Sequence, residues 1–273
     1  MLVPSADPPF SPGMKPVSQL LRGPIAIVAA HPDDETVGAG SSISKLDRTV
    51  LIHVTDGAPR DMRDAAANGF STREEYASAR RQEFLDALRA GNLLPEETHA
   101  LGYADQEASL HLAEITRELS RLLARLAVES VLVHPYEGGH PDHDATAFAV
   151  HAALTSMPPA SRPRLVEFTS YHNCGGQIAT GVFLPGTGFS ETTVRLSAED
   201  RARKERMLAC YRTQQSVLRY FGTEYERFRP APAYDFTAPP HTGRLFYEQF
   251  PWGMTGTRWV SLARAAQEQL SLC

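Results

Sequence analysis

Apolar, β-branched runs of strand length recur through the front of the chain, and each is followed by residues with helical spacing. Ile25-Ala26-Ile27-Val28-Ala29-Ala30, Thr49-Val50-Leu51-Ile52-His53-Val54 and Val131-Leu132-Val133-His134 are nearly all apolar, as strands buried on both faces are. Thr98-His99-Ala100-Leu101 and 165–170 read as further strands. Helices are predicted over 37–46, from a Ser71 or Thr72 cap to about Ala90, over 111–128 and from 143 to about Leu154. The second has Glu74 and Glu75 in its first turn and stops at Gly91-Asn92. On it, Tyr76, Arg80, Phe84 and Leu88 are four apart and share one stripe. Arg80 therefore either borders a polar cavity with a partner or snorkels outward. Thr55-Asp56-Gly57-Ala58-Pro59 reads as a break after the second strand.

Such alternation, with helices long enough for right-handed crossovers, predicts an α/β fold. A Rossmann-like, mostly parallel sheet with helices on both faces is expected. Past Pro158-Pro159, Gly175, Gly176, Gly181, Gly186 and Gly188 mark a turn-rich β segment, read as hairpins near the site. Ser197 caps a helix predicted over 198–220, and a tail rich in proline and aromatics follows Pro230. The expected organisation is an irregular surface arm over 1–22, one α/β domain over 23–230 and a tail over 231–273 packed on that domain.

Composition narrows the function classes. The 273 residues are 42% hydrophobic and 22% charged with a formal net charge of −5, which argues against a nucleic-acid or anionic-membrane binder. Cys174, Cys210 and Cys273 are scattered and form no CxxC, so neither a zinc ribbon nor a disulfide framework is expected. No apolar run approaches the ~18 residues of a membrane span. The proline-rich start lacks the apolar centre of a secretory signal, and a cytoplasmic protein is expected. Oligomeric state is not readable.

The chemistry gathers at two strand ends. The run 25–30 ends in His31-Pro32-Asp33-Asp34-Glu35, and the run 131–134 leads into His140-Pro141-Asp142-His143. Parallel strands line up their carboxyl ends along one edge, where ligands bind. His31 and Asp34 can face one point there, and His143 opens a helix nearby. Two histidines and a carboxylate with a position left for water suit a catalytic zinc ion. Asp33 is then a spare carboxylate, placed to take a proton from a water activated by the metal. His140 fits an oxyanion partner or an acid toward a departing amine, and Asp142 fits a residue that orients a histidine ring. Asp33, Asp34 or Glu35 as a mere helix cap is the plain alternative; it accounts for one carboxylate and leaves two over.

Ala30-His31-Pro32-Asp33-Asp34-Glu35 together with His140-Pro141-Asp142-His143 resembles the LmbE-like, or PIG-L-like, family of zinc-dependent N-deacetylases acting on N-acetylglucosaminyl conjugates. Thr55-Asp56-Gly57, Arg80-x-x-Glu83, Gly102-Tyr103-Ala104-Asp105 and Lys204-x-x-x-Leu208-x-x-Tyr211-x-x-Gln214 agree in order, so the likeness covers about 25 to 220. The resemblance implies one zinc ion per chain on His31, Asp34 and His143, with iron(II) as the alternative ion. It also implies Asp33 as general base, His140 as acid or oxyanion partner, Asp142 as the orienting residue, and Arg80 and Asp105 as contacts to sugar hydroxyls. Some mycothiol-type deacetylases carry a tyrosine two residues before the first histidine of the second motif. Here that place is Gly138, and the nearest tyrosine is Tyr136.

The function expected is hydrolytic removal of an N-acetyl or related N-acyl group from a small amino-sugar conjugate. Two other classes compete. His31-x-Asp33 with a distant His143 also spells the facial triad of a non-haem iron(II) oxygenase, and a sugar-binding protein with a relict site would share the motifs. The 171–191 region and the aromatic tail are where aglycone specificity is expected.

Overall fold

The computed structural model describes residues 17–272 apart from Asp47, Thr187 and Phe189. Nine strands and eight α-helices are formed among the described residues. In chain order they begin with β1 (Ile25–Ala29), α1 (Asp34–Ile43), β2 (Thr49–Pro59), α2 (Arg63–Ala67) and α3 (Arg73–Gly91). Next come β3 (Glu97–Asp105), α4 (Leu112–Leu126), β4 (Ser130–Val133), α5 (Pro141–Thr155), β5 (Arg164–Phe168), β6 (Tyr171–Cys174) and β7 (Gln177–Thr180). The last are β8 (Thr192–Arg195), α6 (Ala198–Leu208), α7 (Gln215–Leu218), β9 (Tyr225–Pro230) and α8 (Gly256–Gln269).

Seven strands form one sheet in the order β3-β2-β1-β4-β5-β9-β8, parallel from β3 to β5, with β9 antiparallel to both neighbours. The fold is therefore the expected Rossmann-like α/β layer. Chain direction along the sheet switches between β1 and β4, which pair from Ile25↔Ser130 to Val28↔Val133. A crevice at the carboxyl ends of two such strands is the usual ligand site of open α/β sheets. Both sequence motifs leave the sheet there.

Period-two alternation divides the core. Ala26, Val28, Val50 and Ile52 face α4, α5 and α8, whereas Ile25, Ile27 and Leu51 face α1, α3 and α6. Helix α3 starts with a capping box between Thr72 and Glu75 and ends on Asn92 in the left-handed region. Its stripe of Tyr76, Arg80, Phe84 and Leu88 is buried throughout.

Several expected boundaries shift. Strand β2 runs on through Thr55–Pro59 instead of breaking, with irregular register against β3 after His53. The helix expected over 198–220 ends at Leu208, turns through Arg212–Gln214 and resumes only as α7. Strands β8 and β9 and helices α2 and α8 were not expected. The surface-arm expectation for 1–22 falls outside the described residues up to 16; beyond them Val17 and Leu21 are buried, because both are apolar and join the core cluster that holds Ile25 and Ile27. Beyond Pro230, Phe236, Leu245, Tyr247, Met254 and Trp259 are buried against α4 and α5.

Candidate active site

The turn after β1 sends three consecutive carboxylates in three directions. Asp33 has φ 130°, a strained conformation for a residue with a side chain. Its carbonyl starts α1, but its side chain makes no capping hydrogen bond. Instead Arg80 Nη2 donates to Asp33 Oδ2 at 3.2 Å and to the Pro32 carbonyl at 2.7 Å, while Nη1 donates to the Gly57 carbonyl. Arg80 is 3% exposed, so it borders the cleft and does not snorkel outward. Asp34 Oδ2 accepts from the His31 backbone N–H at 2.8 Å and lies 3.0 Å from His31 Nδ1; Asp34 Oδ1 lies 3.2 Å from His143 Nε2. Glu35 points away into a buried network with His53, Tyr211 and Thr36, and its Oε2 accepts from the Asp33 backbone N–H. Asp33 and Asp34 therefore do not cap α1, and the capping alternative accounts for Glu35 alone, which holds the N–H of the N-cap residue Asp33.

The second motif comes in from β4. Pro141 opens α5, and His140 caps it, its Nδ1 accepting from the Asp142 backbone N–H at 3.2 Å. That acceptor role places the proton of the neutral ring on Nε2. Asp142 is fully buried, accepts from the backbone N–H groups of Gln106 and Ala108, and lies 3.3 Å from His31 Nε2. The histidine it orients is thus His31. Asp105 at the end of β3 lies 3.1 Å from the same nitrogen and 3.7 Å from His140 Nε2. Gly139 is required by packing, since a Cβ there would lie 2.0 Å from the Tyr171 carbonyl oxygen.

Donor atoms of His31, His140 and His143 lie within 4.8 Å of one another, as do those of Asp34, His134 and His143, and those of His31, Asp105, His140 and Asp142. The three expected ligands are linked through Asp34, although they are divided between the first two sets. His134, at the end of β4, went unassigned in the sequence, yet it stacks on His143 at 4.0 Å and lies 3.4 Å from Asp34. Its Nε2 accepts from the Ala30 N–H at 3.1 Å, which occupies the lone pair nearest Asp34 and makes it a support for His143. Ser170 is within 3.1 Å of His143 Nδ1 and leaves Nε2 toward Asp34. Imidazole and carboxylate donors suit zinc.

Electrostatics favour a cation at this point. Burial lowers the affinity of His31 for a proton, but Asp105, Asp142 and Asp34 outweigh it and raise its pKa well above the ordinary value. The carboxylates that hold a positive charge there are the kind of field a bound cation needs. For Asp34, burial is overcome by His143 and His134, and its carboxyl is held well below the usual range. Burial also raises Asp105, but His31 and His140 bring it below the usual range. Burial pushes Asp33 well up against the pull of Arg80 and pushes Asp142 up to about 6. It holds His143 down to about 4 and His140 well below 6.5.

The cleft above these groups is also lined by Asp64, Gln106, Tyr171, Gln214, Leu218, Phe221 and Trp252. Its tyrosine is Tyr171, whose ring is 5.2 Å from His143. Tyr136 is excluded from the cleft, being 3% exposed with its hydroxyl donating to the Ala238 carbonyl. Trp252, 4.8 Å from His140, comes from the tail.

Comparison with known proteins places the chain among its relatives. A family model described as PIG-L, GlcNAc-PI de-N-acetylase, matches residues 26–154, which include both motifs. A Bacillus anthracis protein named probable N-acetyl-alpha-D-glucosaminyl L-malate deacetylase 2 is 33% identical over 158 residues, covering 54% of this chain and 67% of its own. Its Bacillus cereus namesake is 29% identical over 143 residues, covering 51% of this chain and 64% of its own. The chain thus spans about two thirds or slightly less of these relatives' length. A deacetylase solved with teicoplanin superposes with a TM-score of 0.59 at 15% identity, covering 77% of this chain and 99% of that one, a likeness that shows the fold. The sheet, the paired motifs and the Bacillus relatives agree, and the chain belongs to the PIG-L, or LmbE-like, family.

Proposed function

We propose that the protein is a zinc-dependent N-deacetylase that hydrolyses the acetamide of an N-acetylglucosamine-type conjugate. The observation that carries this reading is the meeting of Asp34 with His31 and His143 beside a separate carboxylate, Asp33, that reaches none of them. His31, Asp34 and His143 are the residues that would hold the ion. A zinc ion there supplies Lewis acidity, which makes water acidic near neutral pH and polarises an amide carbonyl.

The remaining roles are derived from the chain's own groups. Asp33, pushed up by burial and held by Arg80, receives the proton of the attacking water at its carboxylate. Arg80 thereby acts as a positioning residue as well as a wall of the sugar pocket. Neutral His140 presents its Nε2–H to the carbonyl oxygen as negative charge develops there. Its depressed pKa suits a hydrogen-bond donor better than a reservoir of protons. Asp142 fixes the ring of His31, and Asp105 with Gln106 faces the sugar. Neither competing class is favoured: the fold is a mostly parallel α/β layer of a deacetylase family, and no expected ionisable residue of the site is missing.

Acetate and free amine should appear in equal amounts from N-acetylglucosaminides. Activity should vanish on chelation and return with zinc. Amine release that is untouched by chelation would overturn the metal-dependent reading.

A further inference from the structure

The cleft has two unlike walls. One is acidic: Asp33, Asp64 and Asp105 face it, and the arginine among its lining residues, Arg80, is engaged by Asp33 and two backbone carbonyls. The other is apolar and is built from separate stretches of chain, with Val217 and Leu218 on α7, Phe221 just beyond it and Trp252 from the tail. Phe250 stacks on Trp252 at 4.5 Å and 15° and backs its ring. Val217, one of the four exposed large hydrophobic side chains described, is 45% exposed and lines this cleft. An apolar sugar face needs one aromatic ring. Val217, Leu218 and Phe221 add apolar lining beyond that one ring.

Resting on the deacetylase reading, we propose that the conjugate accepted here carries an uncharged, apolar aglycone seated on Val217, Phe221 and Trp252. A dicarboxylate such as the malate named for the Bacillus relatives would meet aspartates on one side and hydrocarbon on the other, with no free cation among the lining residues to pair it. Burying an unpaired carboxylate is costly, whereas apolar groups gain by leaving water. The sugar end lies against the acidic wall, whose carboxylates accept from hydroxyls.

The test uses the zinc-loaded full chain with phenyl N-acetylglucosaminide (both anomers), N-acetylglucosaminyl malate and free N-acetylglucosamine. The phenyl conjugate should exceed the malate conjugate in kcat/KM by at least about tenfold, the scale on which an apolar pocket discriminates. Val217→Asp and Phe221→Ala should each shrink that ratio several-fold. A preference for the malate conjugate, or a ratio unmoved by both substitutions, overturns the proposal. Binding is read separately, as quenching of tryptophan fluorescence in the wild type and in Trp252→Phe, since the other tryptophan, Trp259, is fully buried. If no conjugate is deacetylated, tighter binding of the phenyl conjugate than of the free sugar, with quenching lost in Trp252→Phe, upholds the apolar subsite and sinks only the deacetylase reading. Equal affinity for the two sinks the subsite.

Discussion

Asp33, Asp34 and Glu35 are adjacent in the chain, but β1 ends and α1 begins among them, so each acquires a different partner. Asp34 joins two histidines, Glu35 anchors the turn from below, and Asp33 is left to Arg80 and the cleft. The first two motifs revealed the acids and histidines, because that chemistry is local. The partner of Arg80 was not readable, since the helical stripe gave only its inward direction. His134 was missed for a related reason: it closes an apolar strand as His31 does, but no carboxylate stands beside it in sequence. Arg80→Lys should keep the fold and lower kcat, and the acid limb of the kcat/KM–pH profile should move to higher pH. The sign follows from Arg80 lowering the carboxyl pKa of Asp33; a weaker hold raises it, so the base is lost at a higher pH. Arg80→Ala strands a buried carboxylate and should cost roughly 3–5 kcal/mol, read from urea midpoints.

At the level of elements, the long apolar strands and the capped helix α3 were legible because their burial is written in periodicity. Strands β8 and β9 were not, since β9 carries Glu226, Arg227 and Arg229 in a buried position. Those charges are tolerated through distant partners: Lys204 Nζ lies 3.0 Å from Glu226, and Arg229 Nε 2.8 Å from Glu167. The break after α6 is equally non-local. Thr213 donates its N–H and hydroxyl to Glu83 of α3, and Tyr211 turns inward to Glu35. Helix α5 offers a pH test away from the motifs. Burial pushes His151 down from 6.5 to about 4, and Tyr234 and Phe236 pack on its ring. Between those values the unfolded chain binds the proton and the folded one does not, so stability is full above about pH 6.5 and falls as pH drops toward about 4. His151→Gln should flatten that part of the stability–pH curve, measured by urea titration.

For the whole molecule, the tail is part of the core and of the cleft, which its proline and aromatic content did not reveal beyond general packing. Trp259 on α8 is fully buried and its Nε1 donates to the Pro141 carbonyl at 3.2 Å, at the first turn of α5. Trp259→Ala should cost about 3–5 kcal/mol and loosen the placement of His140, seen as a lower urea midpoint together with a lower kcat. The same tail delivers Trp252 to the cleft, so fold and substrate wall are coupled through one segment. The measurement that bears most directly on the mechanism is amine release by Asp33→Asn alongside zinc content. A variant that keeps its zinc and loses about 10²–10⁴-fold in kcat is the result expected of a general base that holds no metal. Loss of zinc, or wild-type turnover with zinc retained, would contradict the separation of roles between Asp33 and Asp34.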